Sequence, residues 1–145
     1  MNHKRKKVFL VDDHPGTREG LRKVIEYEDE FSVCGEASTV ELGVSGILQT
    51  HADVAVIDLE LGKQSGLDIL VKLQSASRKI PVLILSMHSE TLYAEKALHS
   101  GAHGYLMKSE SPDEILLALH QVARGDRYLS PTMNKKLRKK ETSRE

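Results

Sequence analysis

Five polar residues stand at the ends of short apolar runs, where they could take part in the same chemistry. Asp12 and Asp13 follow Val-Phe-Leu-Val, Asp58 closes Val-Ala-Val-Ile, Ser86 closes Val-Leu-Ile-Leu, and Lys108 follows Gly-Tyr-Leu-Met. Crowded carboxylates repel one another unless a cation neutralises them, and oxygen ligands favour Mg²⁺ or Mn²⁺. A carboxylate beside such a metal can attack phosphorus, while a hydroxyl and an ammonium can bind phosphoryl oxygens. These residue types therefore predict a site for a divalent cation and a phosphoryl group.

The apolar runs are the elements that must bring these residues together. They are short, rich in β-branched residues and free of polar alternation, which is typical of strands buried on both faces of a parallel sheet. We predict strands over residues 7–11, 54–58, 81–86 and 104–107, a weaker edge strand over 31–36, and helices between them. The carboxyl ends of parallel strands meet at one edge of the sheet, where ligands bind. The sequence thus predicts an α/β domain with the polar residues at that edge.

Local signals mark where the helices begin and end. Pro15 fits the first turn of the first helix, because its missing N–H has no partner there. Ser-Thr-Val-Glu from Ser38 fits a capping box that opens the second helix, and Ser-Pro-Asp-Glu from Ser111 fits one that opens the last. Gly125 can adopt the left-handed conformation that ends that helix.

Length and composition restrict the class of protein. A chain of 145 residues without Trp suits a single domain with an aliphatic core. Its one cysteine, Cys34, cannot form an intramolecular disulfide and fits a reducing cytosol, so we expect a cytoplasmic location. No apolar stretch is long enough to span a membrane. Basic residues cluster at both ends and leave an acidic body, which suits a cation site better than a DNA-binding face.

The order and spacing of several segments resemble the receiver domain of bacterial two-component response regulators. The resemblance is greatest to the NarL/FixJ subfamily, whose members usually end in a LuxR-type helix-turn-helix. The matching segments are Val11-Asp12-Asp13-His14-Pro15, Asp58-Leu59 with Gly66-Leu67, Leu85-Ser86-Met87-His88, Gly101-Ala102-His103-Gly104-Tyr105-Leu106-Met107-Lys108 and Gly125-Asp126-Arg127-Tyr128-Leu129-Ser130-Pro131.

This resemblance implies a fold and a division of the chain. The fold would be a flavodoxin-like (βα)₅ doubly wound sandwich, in which a five-stranded parallel sheet has the order 2-1-3-4-5. Residues 1–6 would form a basic extension and residues 7–127 the receiver domain. The sequence itself loses helical periodicity from Asp126, so residues 128–145 would form a linker toward an output domain that is absent from this chain.

The resemblance also implies roles in phosphorylation. Asp58 would accept a phosphoryl group from a sensor histidine kinase. Asp13, Asp58 and the backbone carbonyl of Glu60 would ligate Mg²⁺ directly, and Asp12 would hold it largely through water. Mn²⁺ is the alternative ion.

Three further residues would bind the phosphoryl group or respond to it. Lys108 and Ser86 would bind the group, and Tyr105 would be the aromatic whose rotamer reports activation. A homodimer would form through the face of the fourth helix, fifth strand and fifth helix, or through the first and fifth helices. DNA would be bound only through the absent helix-turn-helix.

Three positions near the site differ from the family pattern. Many receivers have Pro-Gly where this chain has Gly62 and Lys63, so the turn is expected to be more flexible. Many have a cis proline where Ser109 follows Lys108. A non-proline cis bond costs about 3 kcal/mol, so the bond is either trans or strained.

Glu60, two residues after Asp58, lies where receivers tune the loss of the phosphoryl group. We expect Glu60 and His88 to flank the path of the attacking water and to set the lifetime of the phosphoryl group. Other residues also have structural interpretations: His14 as a helix-start residue, Ser86 as a helix cap in competition with Ser89, and Tyr105 as a packing residue.

Three other functions are compatible with parts of the sequence. A stand-alone receiver would act by protein–protein interaction without an output domain. A Mg²⁺-dependent phosphatase would use Asp58 as nucleophile and Glu60 as the acid two residues later, although the chain has no residues for a cap over the substrate. A flavodoxin-like flavin carrier would need a Ser/Thr/Gly-rich loop where this chain has Asp-Asp-His-Pro.

Overall fold

Strands and helices alternate along the chain in the computed structural model, which describes residues 5–76, 79–131 and 133–136. The strands of the main sheet are β1 (Lys6–Val11), β2 (Phe31–Ala37), β3 (Val54–Asp58), β4 (Val82–Ser86) and β5 (Gly104–Met107). The helices are α1 (Pro15–Glu26), α2 (Val40–Thr50), α3 (Leu67–Gln74), α4 (Glu90–His99) and α5 (Pro112–Ala123). Two short strands, Glu60–Leu61 and Gln64–Ser65, pair antiparallel between β3 and α3 and are called the 60–65 hairpin.

All five strands of the main sheet are parallel, in the order β2-β1-β3-β4-β5. This confirms the predicted 2-1-3-4-5 order. Val11 pairs with Ile57, Asp58 with Leu85, and Ser86 with Met107, so β1, β3, β4 and β5 end at the same edge. β1 begins at Lys6, which places that residue in the sheet and not in the predicted basic extension.

The sheet is buried on both faces because helices cover each of them. Successive side chains of a strand point to opposite faces, and here they enter two separate apolar clusters. One cluster joins α1 and α5 to strand residues Val8, Leu10, Val54, Val56, Leu83, Leu85 and Leu106. The other joins α2, α3 and α4 to strand residues Phe9, Val11, Ala55, Ile57, Val82, Ile84 and Tyr105. The doubly wound α/β sandwich is thereby confirmed.

Most of the predicted helix signals occupy the expected positions. Pro15 lies in the first turn of α1, and the Ser111 hydroxyl accepts the Glu114 N–H at 3.2 Å at the start of α5. Gly125 follows α5 with a φ of +88°.

The start of α2 differs from the prediction by one residue. Thr39, not Ser38, is the N-cap residue, because its extended backbone lets its hydroxyl accept the Leu42 N–H at 3.2 Å. The Val40 N–H is bound by the side chain of Gln64 at 3.2 Å. A contact from so distant a part of the chain is invisible to a local capping pattern.

The packed body continues past residue 127, where we placed the end of the domain. Tyr128, Leu129 and Met133 are buried, and the Tyr128 N–H donates to the His103 carbonyl at 2.9 Å. These apolar residues pack beside β5, where Tyr128 forms an isolated parallel bridge with Gly104. The linker predicted for the rest of 128–145 lies mostly outside the described residues. None of the described helices is long and apolar enough to cross a membrane.

Candidate functional site

Lys108 joins two buried carboxylates at the edge where the strands end. Its ammonium Nζ lies 2.8 Å from Asp12 Oδ2 and 2.9 Å from Asp58 Oδ2. The side chains of Asp12 and Asp58 are only 3% and 4% exposed, and that of Lys108 is 10% exposed. Asp12 follows β1, Asp58 closes β3 and Lys108 follows β5, so the sheet itself positions all three. The structure therefore brings these predicted site residues together.

Burial and charge act in opposite directions on these groups. Burial raises the pKa of Asp58, and the hydrogen bond and charge of Lys108 oppose that rise. Burial alone would lower the pKa of Lys108, but hydrogen bonds and charges from Asp12 and Asp58 outweigh it and raise that pKa. The second oxygen of Asp58, Oδ1, accepts the Glu60 N–H at 3.2 Å. Lys108 is thus a cation held between two carboxylates.

Asp13 presents one oxygen whose hydrogen-bonding capacity is unused. Its Oδ2 accepts the Gly62 N–H at 2.9 Å, whereas its buried Oδ1 has no hydrogen-bond partner among the described residues. The His14 Nδ1 lies 3.0 Å from that Oδ1, without the geometry of a hydrogen bond. Asp12, Asp13, His14 and Asp58 each offer a ligand atom within 4.8 Å of the others. A buried carboxylate oxygen without a hydrogen bond in this set fits a hard divalent cation.

His14 has the predicted role at the start of α1 and also contacts the site. It is the N-cap residue of α1, and its backbone N–H donates to Asp12 Oδ1 at 2.8 Å. Its exposed ring places Nδ1 3.1 Å from the same oxygen.

Ser86 is fully buried at the end of β4 and does not cap α4. Its hydroxyl oxygen accepts the His88 N–H at 2.9 Å, whereas Ser89 is the N-cap of α4 and accepts the Thr91 N–H. The Lys108 N–H donates to the Ser86 carbonyl at 2.7 Å. The backbone thus holds Ser86 next to Lys108. The capping interpretation of Ser86 is wrong, because Ser89 is the residue that caps α4.

His88 connects three parts of the region around the site. Its carbonyl accepts the hydroxyl of the fully buried Tyr105 at 2.9 Å. Its ring forms an ion pair with Glu60 when protonated, and lies 5.0 Å from the ring of Tyr93. The 60–65 hairpin, the loop before α4 and β5 therefore meet at this residue.

Comparison with known proteins identifies the family. The pattern of the response regulator receiver domain matches residues 8–120, most of the chain. The chain belongs to the response regulator receiver domain family. The strand order agrees with that family, as the sequence segments predicted.

Curated relatives are regulators of the NarL/LuxR type. The chain is 38% identical to the nitrate/nitrite response regulator protein NarL of Escherichia coli K12 over 128 residues, which covers 87% of this chain and 58% of that protein. It is 35% identical to a nitrate/nitrite response regulator protein homolog of Haemophilus influenzae over 127 residues, 88% of this chain and 61% of that protein. The receiver domain therefore spans about three fifths of the length of these relatives.

Solved structures of related regulators share the fold. A LuxR-family two-component response regulator from Aurantimonas sp. SI85-9A1 superposes with a TM-score of 0.86 at 30% identity, covering 96% of this chain and 99% of that one. The receiver domain of the putative response regulator NarL from Mycobacterium tuberculosis gives 0.79 at 30% identity, covering 84% and 98%. These matches confirm the receiver interpretation, and none of them supports the phosphatase or flavin-carrier alternative.

Several contacts of the receiver site were not predicted from the sequence. The Arg18 guanidinium donates to the Asp12 carbonyl, and the Gly62 N–H binds Asp13. Gly66 lies so close to β3 that a Cβ there would be 2.0 Å from the Asp58 carbonyl oxygen. A half-buried helical arginine or a loop glycine has no sequence pattern that signals such a role. The Lys108–Ser109 bond is trans, since the described part of the chain contains no cis peptide bond.

Proposed function

We propose that this receiver domain is a phosphorylation-dependent signalling switch in which Asp58 accepts a phosphoryl group from a sensor histidine kinase. The observation that carries the proposal is the pair of buried carboxylates, Asp12 and Asp58, bound by the Lys108 ammonium at 2.8 and 2.9 Å. Buried charges are expensive unless they are paired, and such arrangements concentrate at functional sites. The NarL/LuxR-type relatives support the same function.

A divalent cation fits the acidic side of this site. Side-chain oxygens of Asp12, Asp13 and Asp58 would hold Mg²⁺ or Mn²⁺, and the Glu60 carbonyl would complete the protein ligands. The Oδ1 of Asp13, which has no hydrogen-bond partner among the described residues, supports this assignment. When bound, the cation neutralises charge on the transferred phosphoryl group.

Asp58, Lys108 and Ser86 have different roles in phosphoryl transfer. An oxygen of Asp58 forms the bond to phosphorus while the P–N bond of the kinase phosphohistidine breaks, and its electron pair returns to the imidazole. Lys108, shielded from water, compensates the negative charge that arrives with the phosphoryl group. Ser86 uses an oxygen lone pair for the His88 N–H, so its hydroxyl hydrogen is available to a phosphoryl oxygen.

The response would spread from Ser86 through His88, whose carbonyl is bound by Tyr105. We infer that a shift of this loop changes the packing of α4, β5 and α5, or of α1 and α5. One of these faces would then form a homodimer or release a C-terminal output domain that binds DNA. A relative named transcriptional regulatory protein DegU, from Brevibacillus brevis, favours a transcriptional output.

Beryllofluoride binding in the presence of Mg²⁺ tests the proposed function. Wild-type protein should show bound fluoride by ¹⁹F NMR and a change in oligomeric state, and Asp58→Asn should show neither. Asp126→Asn is the matched control, because Asp126 is an exposed aspartate paired with Arg124 away from the site. No binding by wild type, or equal binding by Asp58→Asn, would refute the switch.

We also propose that Glu60 and His88 set the lifetime of the phosphoryl group. Their ion pair connects the 60–65 hairpin to the loop before α4, and these two segments follow the neighbouring strands that end at Asp58 and Ser86. Glu60→Gln or His88→Gln should therefore open the route for water and speed dephosphorylation severalfold. The pair Glu95 and His99 on α4 provides the control, because Glu95→Gln and His99→Gln make the same chemical changes elsewhere. If all four variants lose the phosphoryl group at the wild-type rate, Glu60 and His88 do not have this role.

A further inference from the structure

The side chain of Gln64 fastens the 60–65 hairpin to the first turn of α2. Its Oε1 accepts the Val40 N–H at 3.2 Å, and its Nε2 donates to Glu41 Oε1 at 3.2 Å. The first N–H groups of a helix have no partner within the helix. The hydroxyl of the N-cap residue Thr39 accepts the Leu42 N–H. Gln64 provides the acceptor for the Val40 N–H.

The same hairpin holds Asp13. Gln64 pairs with Leu61 across the hairpin, and the two-residue turn between them contains Gly62 and Lys63. Gly62 has a φ of +61°, and its N–H donates to Asp13 Oδ2 at 2.9 Å. The direction of that N–H depends on the conformation of the turn. A turn that contains glycine loses much conformational entropy when it adopts one conformation. Contacts from neighbouring residues are therefore needed to hold it.

The contact with Gly62 determines which oxygen of Asp13 is left for a ligand. Because Oδ2 is occupied, Oδ1 is the oxygen without a hydrogen bond among the described residues. If the turn moved, the carboxylate could rotate about its terminal bond, since such torsions are broad. Groups that orient metal ligands from behind commonly affect metal affinity.

We propose that Gln64 is a positioning residue for the divalent cation, because it anchors the hairpin whose Gly62 N–H holds Asp13 so that Oδ1, the oxygen without a hydrogen bond, is left for the ion. This inference rests on the proposed function, which places the cation at Asp13. The same amide lowers the pKa of Glu41, after the larger effect of the Glu41 backbone hydrogen bond.

Removal of the two hydrogen bonds of Gln64 tests the proposal. Gln64→Met keeps a side chain of similar length, and we expect Mg²⁺ to bind about 10-fold more weakly, the lower end for loss of an outer partner in a metal site. A Mg²⁺ titration followed by amide NMR gives the affinity, with the Gly62 N–H reporting its bond to Asp13. Gln74→Met is the matched control, since Gln74 ends α3 and donates to the Ser100 carbonyl at 3.1 Å.

A double substitution separates positioning from general damage. Gln64→Glu alone would place two carboxylates in contact and weaken Mg²⁺ binding. Combined with Glu41→Gln, it exchanges the two groups. The carboxylate at position 64 then accepts hydrogen bonds from the Val40 N–H and from the side-chain amide at position 41. Mg²⁺ affinity should therefore return toward that of wild type. Thermal unfolding of each variant shows whether it is folded.

Each outcome has a defined meaning. The proposal is supported if Gln64→Met binds Mg²⁺ more weakly than wild type, Gln74→Met binds it with wild-type affinity, and the double variant recovers that affinity. Equal affinity of wild type and Gln64→Met overturns it while leaving the proposed function intact. Weak binding without recovery in the double variant also overturns it, because the defect would then come from packing. Absence of Mg²⁺ binding by wild type would refute the proposed metal site itself.

Discussion

Lys108 explains at the level of single residues how Asp12 and Asp58 can be buried side by side. Its ammonium contacts both carboxylates within 2.9 Å. Removal of one member of such a buried pair leaves an uncompensated charge, which is strongly destabilising. The convergence of these residues was predictable because each stands at the end of a buried apolar run. The hydrogen bonds of Asp13 were not, because they depend on the conformation of a loop whose residue types fit many conformations.

His103 leads to a prediction about pH. Burial lowers its pKa, and its buried Nδ1 has no hydrogen-bond partner among the described residues. Below the ordinary histidine pKa of 6.5, the unfolded chain binds a proton that the folded chain resists. Stability should therefore fall as the pH drops from the ordinary pKa toward the lower folded-state value. Above the ordinary value His103 is neutral in both states and makes no such contribution.

Urea unfolding of wild type and His103→Gln at pH 7.5 and 5.5 measures this contribution. The free energy of unfolding should fall more for wild type than for the variant, because only wild type titrates at this position. Other histidines and carboxylates act alike in both proteins and cancel from the comparison. An identical pH dependence would show that His103 protonates freely in the folded state.

At the level of elements, α2 packs against the sheet through an aromatic ring that leaves no room for larger residues. A Cβ added at Gly46 would lie 2.3 Å from the ring of Phe9, and one added at Gly35 would lie 2.6 Å from it. The ring is buried, so it cannot swing into solvent. Gly46→Ala should destabilise the fold by about 1–3 kcal/mol, the usual cost of overpacking.

Gly20→Ala is the matched test of this packing. Gly20 lies within α1, and no atom is within 4 Å of a Cβ added there. Since alanine favours a helix over glycine by about 0.5–1 kcal/mol, this variant should be more stable than wild type. Thermal or urea unfolding measures both changes. Stabilisation by Gly46→Ala as well would show that the Phe9 ring can move aside.

The elements differ in how far the sequence predicted them. The five strands and the start of α5 were predictable because apolar runs and a serine cap are local signals. The sequence pattern placed the N-cap of α2 at Ser38, whereas Thr39 is the N-cap in the structure. The difference was not predictable, because Gln64, a remote residue, binds the Val40 N–H at this helix start. The 60–65 hairpin was missed because two-residue strands are too short to show a period of two.

At the level of the whole molecule, the C-terminal segment is part of the packed body. Leu129 and Met133 lie in the cluster formed by α2, α3 and α4, and the hydroxyl of the buried Tyr128 contacts Glu114 on α5. The boundary at 127 was inferred from the loss of helical periodicity. That signal reports the end of a helix but not the end of the core.

Truncation tests this boundary. A chain that ends at residue 127 loses three buried side chains, Tyr128, Leu129 and Met133, and should be less stable than one that ends at 136 by about 3 kcal/mol or more. Thermal unfolding of the two chains gives the comparison. Equal stability would mean that the segment adds nothing to the core.

The site and the fold together predict that one aspartate carries the signal. Intact-protein mass spectrometry after incubation with acetyl phosphate and Mg²⁺ tests this most directly. Wild-type protein should gain the mass of one phosphoryl group, peptide mapping should place it on Asp58, and Asp58→Asn should gain none. An unmodified wild type, or equal modification of Asp58→Asn, would contradict the assignment of Asp58 as the phosphoacceptor.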